Sequence, residues 1–119
     1  MTRAEGVRDA WLTMSADVSK VAIAIKQSQE ALFVLARRYR DLSPEDRAIV
    51  DELLAEQVQS EDEHVRFDAL ALVDEFKIGS AVPALRGLAD WLERRGHPGA
   101  PYEWAQVNRI LGDLAAGAG

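Results

Sequence analysis

An apolar repeat runs through the first third of this chain and restricts its possible folds. Side chains recur at alternating spacings of four and three residues, and no proline interrupts them. This seven-residue pattern is typical of a helix that buries one stripe of its surface against another helix. The positions are Val7, Trp11, Met14, Val18, Val21, Ile25, Ser28, Leu32, Leu35 and Tyr39, of which only Ser28 breaks the apolar pattern.

The repeat predicts one long N-terminal helix over residues 1–41, roughly 55 Å long at 1.5 Å per residue. A break within "TMSADVS", with Ser15 as an N-cap, is the alternative. In the second half, "ALFVLA" is apolar around most of the helix, so we expect two neighbours to bury it.

The first half of this helix has a narrower apolar stripe, which suits a single partner helix. That partner could come from this chain, from a second copy or from another protein. Trp11 is equally compatible with a place in the core. The candidate partner-binding residues on the stripe are Val7, Trp11, Met14, Val18 and Val21.

Start and stop signals divide the remaining chain into short helices. Ser43 and Pro44 begin one, and Ser60 with Glu63 forms a capping box that begins the next. Gly79 ends that helix, "HPGAP" is a loop, and Trp104 has the spacing of a core residue in the last helix. No strand pattern competes, so the sequence predicts an all-α single domain over residues 1–119 with about five helices.

The net charge of −6 is unevenly distributed. Residues 1–40 carry +3 and residues 76–119 carry +1, whereas residues 41–75 carry −10, from twelve acidic side chains and two arginines. Because an acidic segment repels a phosphate backbone, we expect no nucleic-acid partner. The segment either attracts a basic protein or is a solvated face. Candidate contacts to a basic partner are Glu56, Glu61 and Glu63.

The sequence carries no motif for catalysis or cofactor binding. It has no Cys, no Gly-rich phosphate loop and no GxSxG motif. His64 lies among carboxylates, but one imidazole without an HExxH pattern is a weak set of metal ligands. His97 falls in the loop. We therefore expect no enzyme, no cofactor and no metal.

Targeting signals are also missing from the sequence. The segment "MTRAEGVRDAW" lacks a basic region followed by an apolar one, so we expect no secretion signal. No apolar run approaches the roughly 20 residues of a membrane span, so we expect no membrane partner. A chain without Cys suits a reducing compartment, and we expect a cytoplasmic protein.

Residues 62–92, "DEHVRFDALALVDEFKIGSAVPALRGLADWL", resemble a HEAT-like helical repeat of the bacterial type. The resemblance rests on Asp62 before the pair Val65–Arg66, on the turn at Gly79, and on "AVPAL" at the start of a second helix. It implies that residues 42–119 form a short antiparallel stack of HEAT-like repeats. It also implies that Asp62 and Arg66 join the turn and helix ends of adjacent repeats.

Two functions are compatible with these features. The first is a non-catalytic protein–protein interaction or scaffold protein whose N-terminal helix self-associates or docks onto an assembly. The alternative is an acidic immunity or inhibitor protein that neutralises a basic enzyme such as a nuclease toxin. Trp91 and Tyr102 could add a binding patch, since Trp and Tyr are common in interface hot spots, or could simply cover the open end of the last helix pair.

Overall fold

The computed structural model describes residues 2–24, 28–95 and 99–118. Within these ranges there is no strand, which confirms the all-α prediction, and there are six α-helices where about five were expected. A single turn of 3-10 helix, Gly79–Ala81, precedes the fifth helix. The helices are α1 Arg3–Ala24, α2 Ser28–Arg40, α3 Pro44–Gln57, α4 Glu63–Phe76, α5 Val82–Arg95 and α6 Ala100–Ala118.

The chain divides into two compact units, residues 1–53 and residues 54–119, here called the N-terminal unit and the C-terminal unit. The boundary falls within α3. The sequence-based assignment of a single domain over residues 1–119 stays a prediction, and each unit is described by itself.

The prediction of one continuous helix over residues 1–41 is wrong. The Trp11 ring in α1 lies 6.5 Å from the Tyr39 ring in α2, edge to face, whereas a straight helix would separate them by roughly 40 Å. The two helices are antiparallel. The apolar repeat from Val7 to Tyr39, here called the seam, is buried between them at Trp11, Leu35 and Tyr39. Two members of the seam, Ile25 and the side chain of Ser28, lie outside the described part of the structure.

The alternative break at Ser15 does not occur either. Helix α1 runs through "TMSADVS", and the Ser15 hydroxyl donates to the carbonyl of Leu12 at 3.3 Å instead of capping a new helix. At the start of α3, by contrast, Ser43 accepts a hydrogen bond from the Asp46 amide at 3.2 Å, as predicted. Arg3 pairs with the Asp46 carboxylate at 2.9 Å, which ties α1 to α3.

In the C-terminal unit, α4 is capped by Asp62 and not by Ser60. The Asp62 carboxylate accepts from the amides of His64 and Val65, at 2.9 and 3.3 Å. Ser60 lies two residues before this cap, and its hydroxyl accepts from the Asp62 amide. The helix ends at Lys77, whose φ of 52° is left-handed, so Lys77 and not Gly79 supplies the stop.

Helices α4 and α6 are parallel, because residues later in α4 pair with residues later in α6. Helix α5 packs against α6. The buried side chains of the unit are mostly aliphatic, as expected for a helical core. The ion pairs between α4 and α6 are Arg66–Glu103, Asp74–Arg109 and Lys77–Asp113.

Trp104 is not a core residue, contrary to prediction, since 41% of it is exposed. Helix α6 buries Ala100, Val107, Ile110 and Leu114, so the centre of its buried face is Ile110 and not Leu111. This small rotation leaves Trp104 at the edge of the buried face.

Candidate interaction surfaces

An apolar cleft of about 590 Å³ lies between α1 and α2 in the N-terminal unit. The buried Ala22 and Ala31 form its base, and Val21 on α1, 61% exposed, forms one wall. Because a helix pair normally covers such side chains, the cleft is an unfilled part of the seam. Its lining residues are Asp17, Val18, Val21, Ala22, Glu30, Ala31 and Val34.

A second cleft of about 310 Å³ lies nearer the start of α1, with α2 and α3 on its other side. Its apolar lining includes Val7, Trp11 and Met14. The two clefts together therefore contain all five seam residues that the sequence singled out on α1. The full lining is Val7, Ala10, Trp11, Met14, Arg38, Asp41, Leu42, Asp46 and Val50.

Both clefts lie along the same side of the α1–α2 pair. Residues three, four or seven positions apart share a helix face, and the lining residues of the two clefts continue one another at these spacings. The two clefts therefore lie in line on one side of the pair and are here together called the groove, and Asp17 and Glu30 form an acidic rim near the start of α2. The shared lines are Ala10, Met14, Asp17 and Val21 on α1, and Glu30, Val34, Arg38 and Asp41 on α2.

The sequence left two roles open for Trp11, a place in the core and a contact to a partner, and the structure shows the first. It is 4% exposed and packs against Tyr39. The Tyr39 hydroxyl donates to Asp51 at 2.6 Å, and Arg47 lies over the Tyr39 ring at 5.8 Å. Val7, Met14 and Val18 are half-buried, and Val21 is the most exposed seam residue on α1.

The expectation that two neighbours bury "ALFVLA" is wrong. Phe33 is 71% exposed and Val34 is 38% exposed. The buried line of α2 is Ala31, Leu35 and Tyr39, and Phe33 lies on the opposite face. Sequence reasoning missed Phe33 because it read the whole segment as buried; the four-residue spacing from Ala31 to Tyr39 was the available signal.

Arg66 is the most buried charged side chain of the described residues, at 3% exposure. Its guanidinium donates to both carboxylate oxygens of Glu103, at 2.9–3.0 Å, and to the carbonyl of Ser60 at 2.9 Å. It also lies 5.3 Å from the Trp91 ring, over which Arg95 lies at 4.6 Å. Such a bidentate pair holds α4, α6 and the turn before α4 together.

The aromatic and acidic candidates of the C-terminal unit differ in exposure. Trp91 is half-buried under its two arginines, and Tyr102 is 85% exposed. Glu56, Glu61 and Glu63 are all exposed. A joint patch of Trp91 with Tyr102 and an acidic docking surface both stay predictions.

Several acidic side chains of residues 41–75 have structural roles. Asp46 and Asp51 bind Arg3 and Tyr39, and Asp62 caps α4. Asp74 accepts from Arg109 at 3.0 Å. Burial raises the pKa of Asp74, but the hydrogen bonds and positive charges of Arg109 and Lys77 outweigh it, so the pKa lies below its usual value.

Comparison of the chain with protein-family models, with curated proteins and with solved structures gave no match. No family is assigned to the chain on this basis. The resemblance of residues 62–92 to a HEAT-like repeat stays a prediction.

Metal binding requires several ligand side chains close together. Among the described residues, no His, Asp and Glu side chains form a group of three or more that could hold a metal ion. His64 is exposed in the first turn of α4, and His97 lies outside the described residues. None of the helices in these ranges is long and apolar enough to cross a bilayer.

Proposed function

We propose that this chain is a non-catalytic protein–protein interaction protein, and that its N-terminal unit binds a helix in the groove between α1 and α2. The observation that carries the proposal is the open apolar cleft beside Val21, with Phe33 exposed on the same helix pair. Grooves of this kind bind the apolar face of an amphipathic helix. The acidic rim favours a segment that also carries basic residues.

The C-terminal unit is, in this proposal, a short HEAT-like scaffold. Parallel α4 and α6 support this role, because equivalent helices of successive HEAT-like repeats are parallel. Arg66 supports it as well, since it joins α4 to α6 and to the preceding turn, as the resemblance implies. We place the protein in the cytoplasm, in keeping with its lack of Cys.

Substitution of Val21 tests the binding groove. Val21→Glu places a charge in the apolar cleft, whereas Ala16→Glu, the matched control, adds the same charge to an exposed position on the far side of α1. Tagged wild type and both variants are used for capture from the native host, and their mass is measured by light scattering. We expect Val21→Glu to lose proteins or copies that wild type and Ala16→Glu retain. Equal recovery with all three would contradict the proposal.

Exposed acidic side chains support a second candidate function, inhibition of a basic enzyme. Glu56, Glu61 and Glu63 are all exposed in the C-terminal unit. Their joint reversal to Lys should slow association with a captured basic protein, most strongly at low salt. Reversal of Asp90 and Glu93, which are exposed on α5, is the control. If both sets of reversals have the same effect, these three residues form no docking surface.

A further inference from the structure

The outward face of α2 carries a stripe of four side chains at positions i, i+3, i+4 and i+7, here called the α2 stripe: Glu30, Phe33, Val34 and Arg37. All four are exposed. Residues at these spacings form a single helix face. The stripe therefore has an apolar centre, an anion toward the start of the helix and a cation toward its end.

The two charged ends of the α2 stripe are available for a partner. No ion pair among the described residues involves Glu30 or Arg37. The two are seven positions apart, which is about 10 Å along the helix and too far for a pair within α2. Between these two charges, Phe33 and Val34 form an exposed apolar centre.

We propose that the α2 stripe binds the α2 stripe of a second copy, with the two α2 helices antiparallel about a two-fold axis. This proposal rests on the interaction function proposed above and names its partner. In a two-fold interface each contact occurs twice, so the stripe must complement itself. Phe33 of one copy then faces Val34 of the other. In the same register Arg37 faces Glu30, because positions 30 and 37 are centred on the same point of the helix as positions 33 and 34.

Charge decides the orientation of the two helices. In a parallel arrangement Glu30 would face Glu30 and Arg37 would face Arg37, and like charges at an interface are unfavourable. The antiparallel arrangement replaces both repulsions with two attractive pairs. It is therefore the arrangement that the α2 stripe favours.

The neighbouring cleft receives part of the second copy. Val34 belongs both to the α2 stripe and to the cleft wall. A Phe33 ring that packs on Val34 of the other copy thus reaches the cleft mouth, where Val21 is exposed. Four side chains per copy bury less than a standard stable interface, which buries about 1,200 Å² or more, so we expect a weak dimer that forms only at high protein concentration.

Charge exchange tests the register. Glu30→Arg and Arg37→Glu each place like charges opposite each other twice, and we expect each to weaken the dimer about tenfold in sedimentation equilibrium. The double variant Glu30→Arg with Arg37→Glu restores opposite charges and should recover the wild-type constant. Arg86→Glu, at an exposed position on α5, is the control and should change nothing. Circular dichroism checks that each variant keeps its helices.

Single cysteines give an independent test, because the chain contains none. Oxidation of a mixture of the Glu30→Cys and Arg37→Cys proteins should link one variant to the other. Each variant alone should link far less, since equivalent positions then lie about 10 Å apart along the helices.

Three results would overturn the α2 dimer: a chain that stays monomeric at millimolar concentration, a double charge variant as weak as the single ones, or cysteine links that form equally in all mixtures. None of these results bears on a different protein that binds in the groove, because capture with Val21→Glu and Ala16→Glu detects such a protein directly. If both variants capture the same proteins while the charge exchange behaves as expected, the groove binds no other protein and only the dimer is left.

Discussion

At the scale of single residues, Tyr39 links the three helices of the N-terminal unit. It is buried against Trp11, donates to Asp51, and holds Arg47 over its ring and at its carbonyl. Burial raises the pKa of Tyr39, and the hydrogen bond to Asp51 and the negative charge of Asp51 raise it further, while the positive charge of Arg47 lowers it by less.

The raised pKa of Tyr39 predicts how stability changes at alkaline pH. The unfolded tyrosine ionises near its ordinary pKa of about 10, whereas the folded one holds its proton, so stability is fully present below about pH 10 and falls as pH rises beyond it. The chain has two tyrosines, so a Tyr102→Phe variant isolates Tyr39. We expect its ultraviolet titration to coincide with loss of helix in circular dichroism. Ionisation near pH 10 with the helices intact would contradict this prediction.

At the scale of secondary-structure elements, the start of α4 shows how one carboxylate fixes a helix end. Asp62 accepts from two amides that have no partner within the helix, and its negative charge lies at the positive end of the helix dipole. Its neighbours Glu61 and Glu63 are exposed, and the capping bonds come from Asp62 alone.

Removal of the Asp62 cap should be measurable. Asp62→Ala should lower the free energy of unfolding by about 1 kcal/mol, the usual effect of losing an N-cap. Glu61→Ala, the adjacent exposed carboxylate, should lower it much less. Urea denaturation at pH 7 measures both. Equal losses would mean that the carboxylates act through general charge and not through the cap.

The pair of Asp74 with Arg109 connects α4 to α6 and gives a second, acidic dependence on pH. Because the pKa of Asp74 lies below its usual value of about 3.9, the pair stabilises the fold above that pH and the contribution is lost as pH falls through the lowered pKa. Asp74→Asn should cost less than about 1 kcal/mol at pH 7, since exposed pairs contribute little.

Denaturation at two pH values tests this sign. The difference in unfolding free energy between wild type and Asp74→Asn should be present at pH 7 and close to zero at pH 2. Glu93→Gln, which changes an exposed residue of α5, controls for the general loss of negative charge. A difference that grows on acidification would show that the pair does not stabilise the fold.

At the scale of the whole molecule, net charge governs how copies meet. The chain carries −6 at pH 7 and has an isoelectric point of about 4.9. Repulsion between copies therefore weakens as pH falls toward that value.

Association should therefore be strongest near the isoelectric point. We expect light scattering at fixed protein concentration to reach its maximum near pH 4.9, because a net charge close to zero promotes association. A series between pH 4 and pH 8 measures it. If Arg37→Glu scatters like wild type at pH 7 and both rise equally at low pH, the rise reflects overall charge and not the α2 stripe.

Local signals in the sequence determined the helical character of the chain and several helix ends. Periodic apolar residues predicted helices throughout, and Ser43 predicted the start of α3. Such signals succeed because the interactions behind them join residues at most four positions apart. The sequence also directed attention to Asp62 and Arg66, but not to Glu103, which is Arg66's partner 37 positions away.

Which sides of the helices are covered depends on tertiary packing. An apolar repeat with a seven-residue period is compatible with one long helix that has an external partner and with two helices packed on each other. The contact of Trp11 with Tyr39 shows that the second arrangement occurs. The exposure of Phe33 and Trp104 depended on the same choice of neighbours. Periodicity gives the width of an apolar face, but burial depends on helices that are distant in sequence, and no local pattern contains that information.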